Sequence, residues 1–209
     1  MNWIFLSPHP CTLEEATLLG QCDFHFTRRG GPGGQHRNKV SSAVVVTHRP
    51  TQILAEANER RDQSQNRRVA VARLRRQLAW LVRQPVPTTA PATDLAQQTD
   101  VVRHTAAGPN SAAVPDDRAA PSQRPAAVSD LWRVRCIEQP AKVSPEHWDY
   151  PTLLAEALDQ LHAHQGQVSS AAAALQISTA RLVKLFKIDR PSWEWINRYR
   201  ASLGLPQLH

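Results

Sequence analysis

Residues 28–39 combine two uncharged amides, four glycines, a proline and five basic side chains: Arg28, Arg29, Gly30, Gly31, Pro32, Gly33, Gly34, Gln35, His36, Arg37, Asn38 and Lys39. No acid interrupts them. Glycine admits close approach of another molecule to the backbone. Pro32 fixes its own φ and biases Gly31 toward extended geometry, which concentrates freedom at Gly33 and Gly34. Gln35 does not titrate near neutral pH, so it is no general base. It can donate, accept and orient a water, and its backbone N–H can face a developing oxyanion. Such a loop suits a narrow, negatively charged site. The blander alternative is a glycine-rich surface turn beside a basic patch. A phosphate-binding P-loop is excluded, because no Gly-Lys-Ser/Thr ending follows the glycines.

Elements on either side must hold this loop. Residues 23–27 alternate weakly and predict a strand leading into it. Ala43–His48 is β-branched and apolar, a second strand. Arg49, Pro50, Thr51 and Gln52 predict a turn, with Ile53–Ala57 as the return strand. From Asp62 the period changes. Asp62 caps a helix with Gln65 at its third position. Ala70, Leu74, Leu78 and Leu81 form its apolar stripe, and Arg67, Arg68, Arg73, Arg75, Arg76 and Arg83 are expected on the remainder. A short helix carrying Leu13, Leu18 and Leu19, opened by Thr12 or Thr17, precedes the first strand. The fold class is α+β.

The stretch from Phe26 to about Leu81 resembles the catalytic domain of class I peptide chain release factors. Gly33, Gly34 and Gln35 match the Gly-Gly-Gln signature, followed by His36, Asn38 and Lys39. Ser42, Ala43 and Val44, Thr47 and His48, and Pro50 and Thr51 also match. Arg61, Gln63, Asn66 and Arg67 follow in the family's order and spacing. The resemblance implies ribosome-dependent hydrolysis of the ester joining peptide to transfer RNA. Gly33, Gly34 and Gln35 would be catalytic: Gln35 positions the water, its N–H stabilises the oxyanion, and the glycines permit that backbone. The proton relay would come from transfer RNA ribose and ribosomal RNA. RNA contacts are expected from Arg28, Arg29, His36, Arg37, Asn38, Lys39, Arg61, Arg67, Arg68 and Arg75. The departures are Gly30 for a small polar residue, Arg37 for valine, Gln52 for glycine, Arg60 for glutamate and Asp62 for serine. None removes the chemical residues, and together they leave room for a different ribosomal task.

Net charge is +7. Residues 1–84 hold 13 Lys/Arg against 6 Asp/Glu, residues 85–128 hold 3 against 4, and residues 129–209 hold 9 against 8. The excess sits with the Gly-Gly-Gln loop, as an RNA partner requires. No run approaches the roughly 18 apolar residues of a membrane span. The N-terminus has no signal-peptide pattern, so a cytoplasmic, ribosome-associated location and no membrane partner are expected. His9, Cys11, Cys22 and His25 could ligate metal, but their spacing matches no usual zinc site. No metal, no cofactor and a monomer are expected.

The division expected is a catalytic domain over 1–84, a flexible linker over 85–128 and a small helical domain over 129–209. The linker has 7 prolines and 11 alanines without a sustained period. Pro91, Ala92 and Thr93 resemble a stop-codon-reading tripeptide. That match is discounted, because it belongs in a folded domain preceding the loop and only 27 residues precede Arg28 here. In the last segment 131–137 predicts a short strand, and Leu153, Leu154, Ala157, Leu158 and Leu161 a helix ending near Gly166. Helices at 171–175 and 182–186 flank Gln176, Ile177 and Ser178 in a helix-turn-helix-like pattern. Arg181, Lys184 and Lys187 lie roughly on one face, a possible contact for RNA or protein. A last helix starts at Asp189, Arg190 and Pro191 and ends at Gly204, with Trp193, Ile196, Tyr199 and Leu203 along it.

The leading expectation is codon-independent hydrolysis of peptidyl-tRNA at the large-subunit peptidyl transferase centre, in rescue of stalled ribosomes. The small rescue release factors it resembles usually carry a basic C-terminal tail, and Leu205 to His209 holds no Lys or Arg. The alternative is a ribosome- or rRNA-binding protein without significant hydrolase activity. A DNA-binding regulator built on the C-terminal segment is a distant third.

Overall fold

The computed structural model describes residues 3–27, 42–86, 128–138 and 143–209. The described parts of Met1–Val86 and Val128–His209 form one compact unit. It is an α+β fold: a three-stranded sheet, a long helix across it and further helices against that helix.

Strand β1 (Ile4–Phe5) is followed by a 3-10 turn (Pro10–Thr12) and helix α1 (Glu15–Gly20). Helix α1 opens at Glu14, between the two threonines favoured from sequence. Strands β2 (Cys22–Thr27), β3 (Ala43–His48) and β4 (Ile53–Ala57) form an antiparallel meander. Phe24 pairs with Val46 and Val46 with Ala55, so these three share one face. The β3–β4 turn carries Gln52 at φ 57°, where the family prefers glycine, and its side chain donates to the Arg49 carbonyl. That local bond offsets part of the cost of a positive φ.

Helix α2 (Gln63–Leu81) packs across β3 and β4. Asp62 caps it, its Oδ1 accepting from the Ser64 and Gln65 amides at 2.6 and 3.2 Å. Ala70, Leu74 and Leu78 are fully buried, but Leu81 is 36% exposed. The apolar line instead passes through Ala79 to Val82, which opens strand β5 (Val82–Arg83), parallel to β1.

The segment 131–137, expected as a strand, is helical. A turn of α3 (Asp130–Trp132) runs into a π-helical stretch, Arg133–Glu138. The Ser129 hydroxyl accepts the Trp132 amide at 3.0 Å, a helix cap, and among the described residues neither sheet includes this segment. Helices α4 (Tyr150–Ala163), α5 (Val168–Ala174), α6 (Thr179–Phe186) and α7 (Arg190–Ser202) follow. Gly166 at φ 77° and Gly204 at φ 73° lie just past α4 and α7, as the glycines predicted. Helix α4 packs on α2, and residues 129–209, expected as a domain of their own, share the hydrophobic core with the first 86.

Candidate functional site

The loop with the candidate chemistry lies outside the described residues. That covers Arg28, Arg29, Gly30, Gly33, Gly34, Gln35, His36, Arg37, Asn38 and Lys39, and likewise Pro91, Ala92 and Thr93. Its roots are described. Thr27, last in β2, pairs with Ala43, first in β3. The hairpin ladder therefore delivers both ends of the intervening segment to one end of the sheet.

Asn66 fixes the exit root. It is fully buried in the first turns of α2. Its Nδ2 donates to the Ser42 carbonyl at 2.7 Å and the Arg60 carbonyl at 2.9 Å, while its Oδ1 accepts the Arg60 amide at 2.9 Å. One amide thus ties the residue before β3 to the β4–α2 connection. No charged or hydroxyl side chain offers two donors and an acceptor in this arrangement. Sequence reasoning matched Asn66 without giving it a role; the signal was an amide on the inward face of a helix. Asn66→Ala should lower stability by about 2 kcal/mol, since buried partners are left unpaired. Asn66→Asp should fall short of restoring it, because a carboxylate cannot donate. Urea unfolding of the three proteins measures both effects.

The arginines of α2 and its flanks divide sharply. Arg61, Arg67 and Arg68 are exposed, as an RNA contact requires. Arg67 lies with its guanidinium 4.6 Å from the centre of the Phe24 ring, which holds it beside β2. Phe26, near the entry root, is 48% exposed. Arg75, expected at the RNA surface, is instead 1% exposed. It donates to the carbonyls of Cys11 and Trp148 and to the Thr152 hydroxyl, and lies 3.5 Å from the centre of the Trp148 ring. Its task is to join the N-terminal turn to the α4 region. Arg73 pairs with Glu59 and donates to the Glu56 carbonyl. Arg76 pairs with Asp189 at 3.1 Å, and Arg83 is buried against Asp159. Hence four of the arginines expected at the surface as solubilising or RNA-facing groups are engaged within the protein.

The metal-capable residues near the N-terminus are not gathered into one cluster. His9 is buried, with Nε2 against the Val82 carbonyl and Nδ1 accepting the Cys11 amide. Burial, helped by the Arg83 charge, lowers its pKa to about 4. The Cys11 thiol donates to the Arg75 carbonyl, and burial raises its pKa to about 12. Cys22 donates to the Leu18 carbonyl, while His25 is exposed on β2. Among the described residues no three His, Cys, Asp or Glu side chains are placed to hold a metal ion.

In the C-terminal part, α5, the turn at Gln176 (φ 57°) and α6 reproduce the expected helix-turn-helix-like order. Arg181, Lys184 and Lys187 are all exposed. They do not act as one set. Arg181 and Lys184 line a cavity, whereas the Lys187 ammonium sits 5.0 Å from the centre of the Trp193 ring. Among the described residues no helix is long and apolar enough to cross a membrane.

Comparison with known proteins bears on the same end of the chain. Residues 19–108 match the RF-1 domain family. An uncharacterized, release factor-like mitochondrial protein of Saccharomyces cerevisiae is 43% identical over 75 residues, 35% of this chain and 47% of that protein. A chloroplastic peptide chain release factor of Arabidopsis thaliana is 46% identical over 56 residues, 27% of this chain and 12% of the relative. Peptide chain release factor 2 of Lactiplantibacillus plantarum is 51% identical over 51 residues, 24% of this chain and 14% of the relative. The chain thus spans less than half the length of each of these relatives.

Proposed function

Because the chain belongs, through its RF-1 domain, to the class I peptide chain release factor family, we propose that it hydrolyses peptidyl-tRNA on ribosomes, independently of a codon, in rescue of stalled complexes. The observation that carries this is the match over residues 19–108, with Gly33, Gly34 and Gln35 inside it. Gln35 positions a water against the ester carbonyl carbon. The water oxygen bonds to that carbon, and the carbon–oxygen bond to the ribose breaks. The water's protons pass to the ribose oxygen and to the surrounding RNA and solvent. The Gln35 N–H stabilises the oxyanion formed between these events. Arg61, Arg67 and Arg68 contribute phosphate contacts that set the domain's pose on large-subunit rRNA. The codon-independent part rests on the resemblance to the small rescue release factors; in this chain α4 packs on α2, and the described helices α3–α7 share the compact unit with it. The site of action is the cytoplasm, on the ribosome.

The test is peptide release from ribosomes carrying peptidyl-tRNA over truncated messenger, a sense codon or a stop codon. Gln35→Ala removes the side chain that positions the water and keeps the backbone N–H, so release should slow by about 10²-fold, the cost of losing placement of the attacking group. Release that requires a stop codon would overturn codon independence. Ribosome binding without release on any template would identify an rRNA-binding protein instead.

A further inference from the structure

A cavity of about 790 Å³ opens between the α3 region, the residues after it, and α6. Val143, Ile177, Leu185 and Ile188 give it apolar walls. Arg135, Arg181 and Lys184 stand at it, and among the described residues no Asp or Glu lines it. Arg135 is held by Asp149 at 2.6 Å, which keeps its guanidinium in place. Arg181 and Lys184 have no ion-pair partner among the described residues. Apolar surface with unspent positive charge at its edge is complementary to aliphatic side chains flanked by carboxylates. Its volume lies in the range of ordinary ligand sites.

We propose that this cavity is a docking site for a short acidic, aliphatic-rich segment of a partner protein. Leucine- or isoleucine-type side chains enter between Ile177, Leu185 and Ile188, and a carboxylate meets Arg181 and Lys184. The mode is that of an amphipathic segment laid in a groove, where the apolar residues supply area and the charges supply register. Single-stranded RNA fits less well. Unspecific strand binding relies on aromatic platforms, and among the described residues no aromatic one lines the cavity. Near balance of charge over residues 129–209 argues the same way. The site owes nothing to hydrolysis and stands or falls separately from the proposed activity.

The experiment uses the full chain, without ribosomes, and a fluorescein-labelled amphipathic peptide with glutamates flanking leucine and isoleucine. A second peptide has glutamine for every glutamate, and a third probe is a labelled single-stranded RNA of mixed sequence. Cys136 lines the cavity, so its alkylation by N-ethylmaleimide reports occupancy, while Cys11 and Cys22 are buried. The acidic peptide should bind saturably and protect Cys136. The glutamine peptide, and the protein carrying Arg181→Glu with Lys184→Glu, should each bind about tenfold more weakly. Both residues are exposed, so thermal unfolding should be unchanged; Arg181→Gln with Lys184→Gln is the milder check. Equal binding of the glutamine peptide, indifference to the double substitutions, or no binding of the acidic peptide overturns the proposal. Tighter binding of RNA, with the same loss in the double variant, overturns it in favour of a nucleic-acid site.

Discussion

Asp159→Ala should destabilise the protein by about 3–5 kcal/mol, the range for removing one partner of a buried ion pair. Arg83 is 1% exposed and its Nη1 donates to Asp159 Oδ1 at 3.0 Å. The same oxygen accepts the Gln84 amide at 3.2 Å. Arg83 also donates to the carbonyls of Ala79 and Trp80 and lies 4.7 Å from the Trp3 ring centre. Alanine at 159 leaves that guanidinium without a counter-charge. Burial pushes the Asp159 carboxyl up to about 6 although Arg83 pulls it down, and burial lowers Arg83 as well. The interior thus penalises both charges, so the intact pair contributes little as a unit while breaking it costs much. Joint replacement, Arg83→Met with Asp159→Leu, should therefore recover most of the loss in urea unfolding.

The same pair sets a pH signature. Asp159 rises from 3.8 to about 6 on folding, so the native state keeps a proton that the unfolded chain releases. Its contribution is fullest below about pH 4 and is lost as pH rises to about 6. His9 falls from 6.5 to about 4 and acts in the opposite sense: its contribution is present above pH 6.5 and lost as pH falls toward 4. The two slopes oppose one another across one window in the wild type. Asp159→Asn removes the first alone. Its stability should climb more steeply with pH between about 4 and 6.5 than the wild type's, and an unchanged slope would refute the assignment.

Trp132→Ala should cost about 3–5 kcal/mol, as removal of a fully buried large aromatic does. The ring has no exposed surface, and its indole N–H donates to the Leu175 carbonyl at 3.0 Å. That carbonyl ends α5, where the helix itself supplies no donor. Trp132→Phe separates the two losses. It keeps most of the apolar volume and orphans the carbonyl, and should cost about 1–3 kcal/mol. Because the described residues around it form one compact unit, unfolding followed by far-ultraviolet circular dichroism should remain a single transition in both variants.

The hairpin was legible because its punctuation is local: a β-branched run before Pro50 and an apolar-polar alternation from Ile53 after it mark β3 and β4 where the structure places them. Asp62 and Asp189, as helix caps, were legible for the same reason. Arg75 and Arg83 were not. A count of apolar periods sends every arginine outward, and the Arg75 partners lie 64 and 73 residues away in sequence. The two-residue β1–β5 pair is too short to leave a pattern. The apolar residues of 131–137 fit either a strand or a helix until Trp132 is seen buried. Of the candidate site, the chemistry proposed for Gln35 rests on sequence alone, and Arg61, Arg67 and Arg68 are exposed where an RNA contact was expected. The role of Asn66 needed the Ser42 and Arg60 carbonyls brought beside it.

Helix α2 has one side on the sheet and another on α4, and its Arg76 and Trp80 reach Asp189 and Ser192. Neither flanking length of chain is self-sufficient as a result. A fragment ending ahead of Val128 would leave Arg75, Trp80 and Arg83 facing water, and one beginning there would lose the wall on which α4 rests. The two are complementary halves, and a backbone nick between them should leave a reassembling pair rather than two independent proteins.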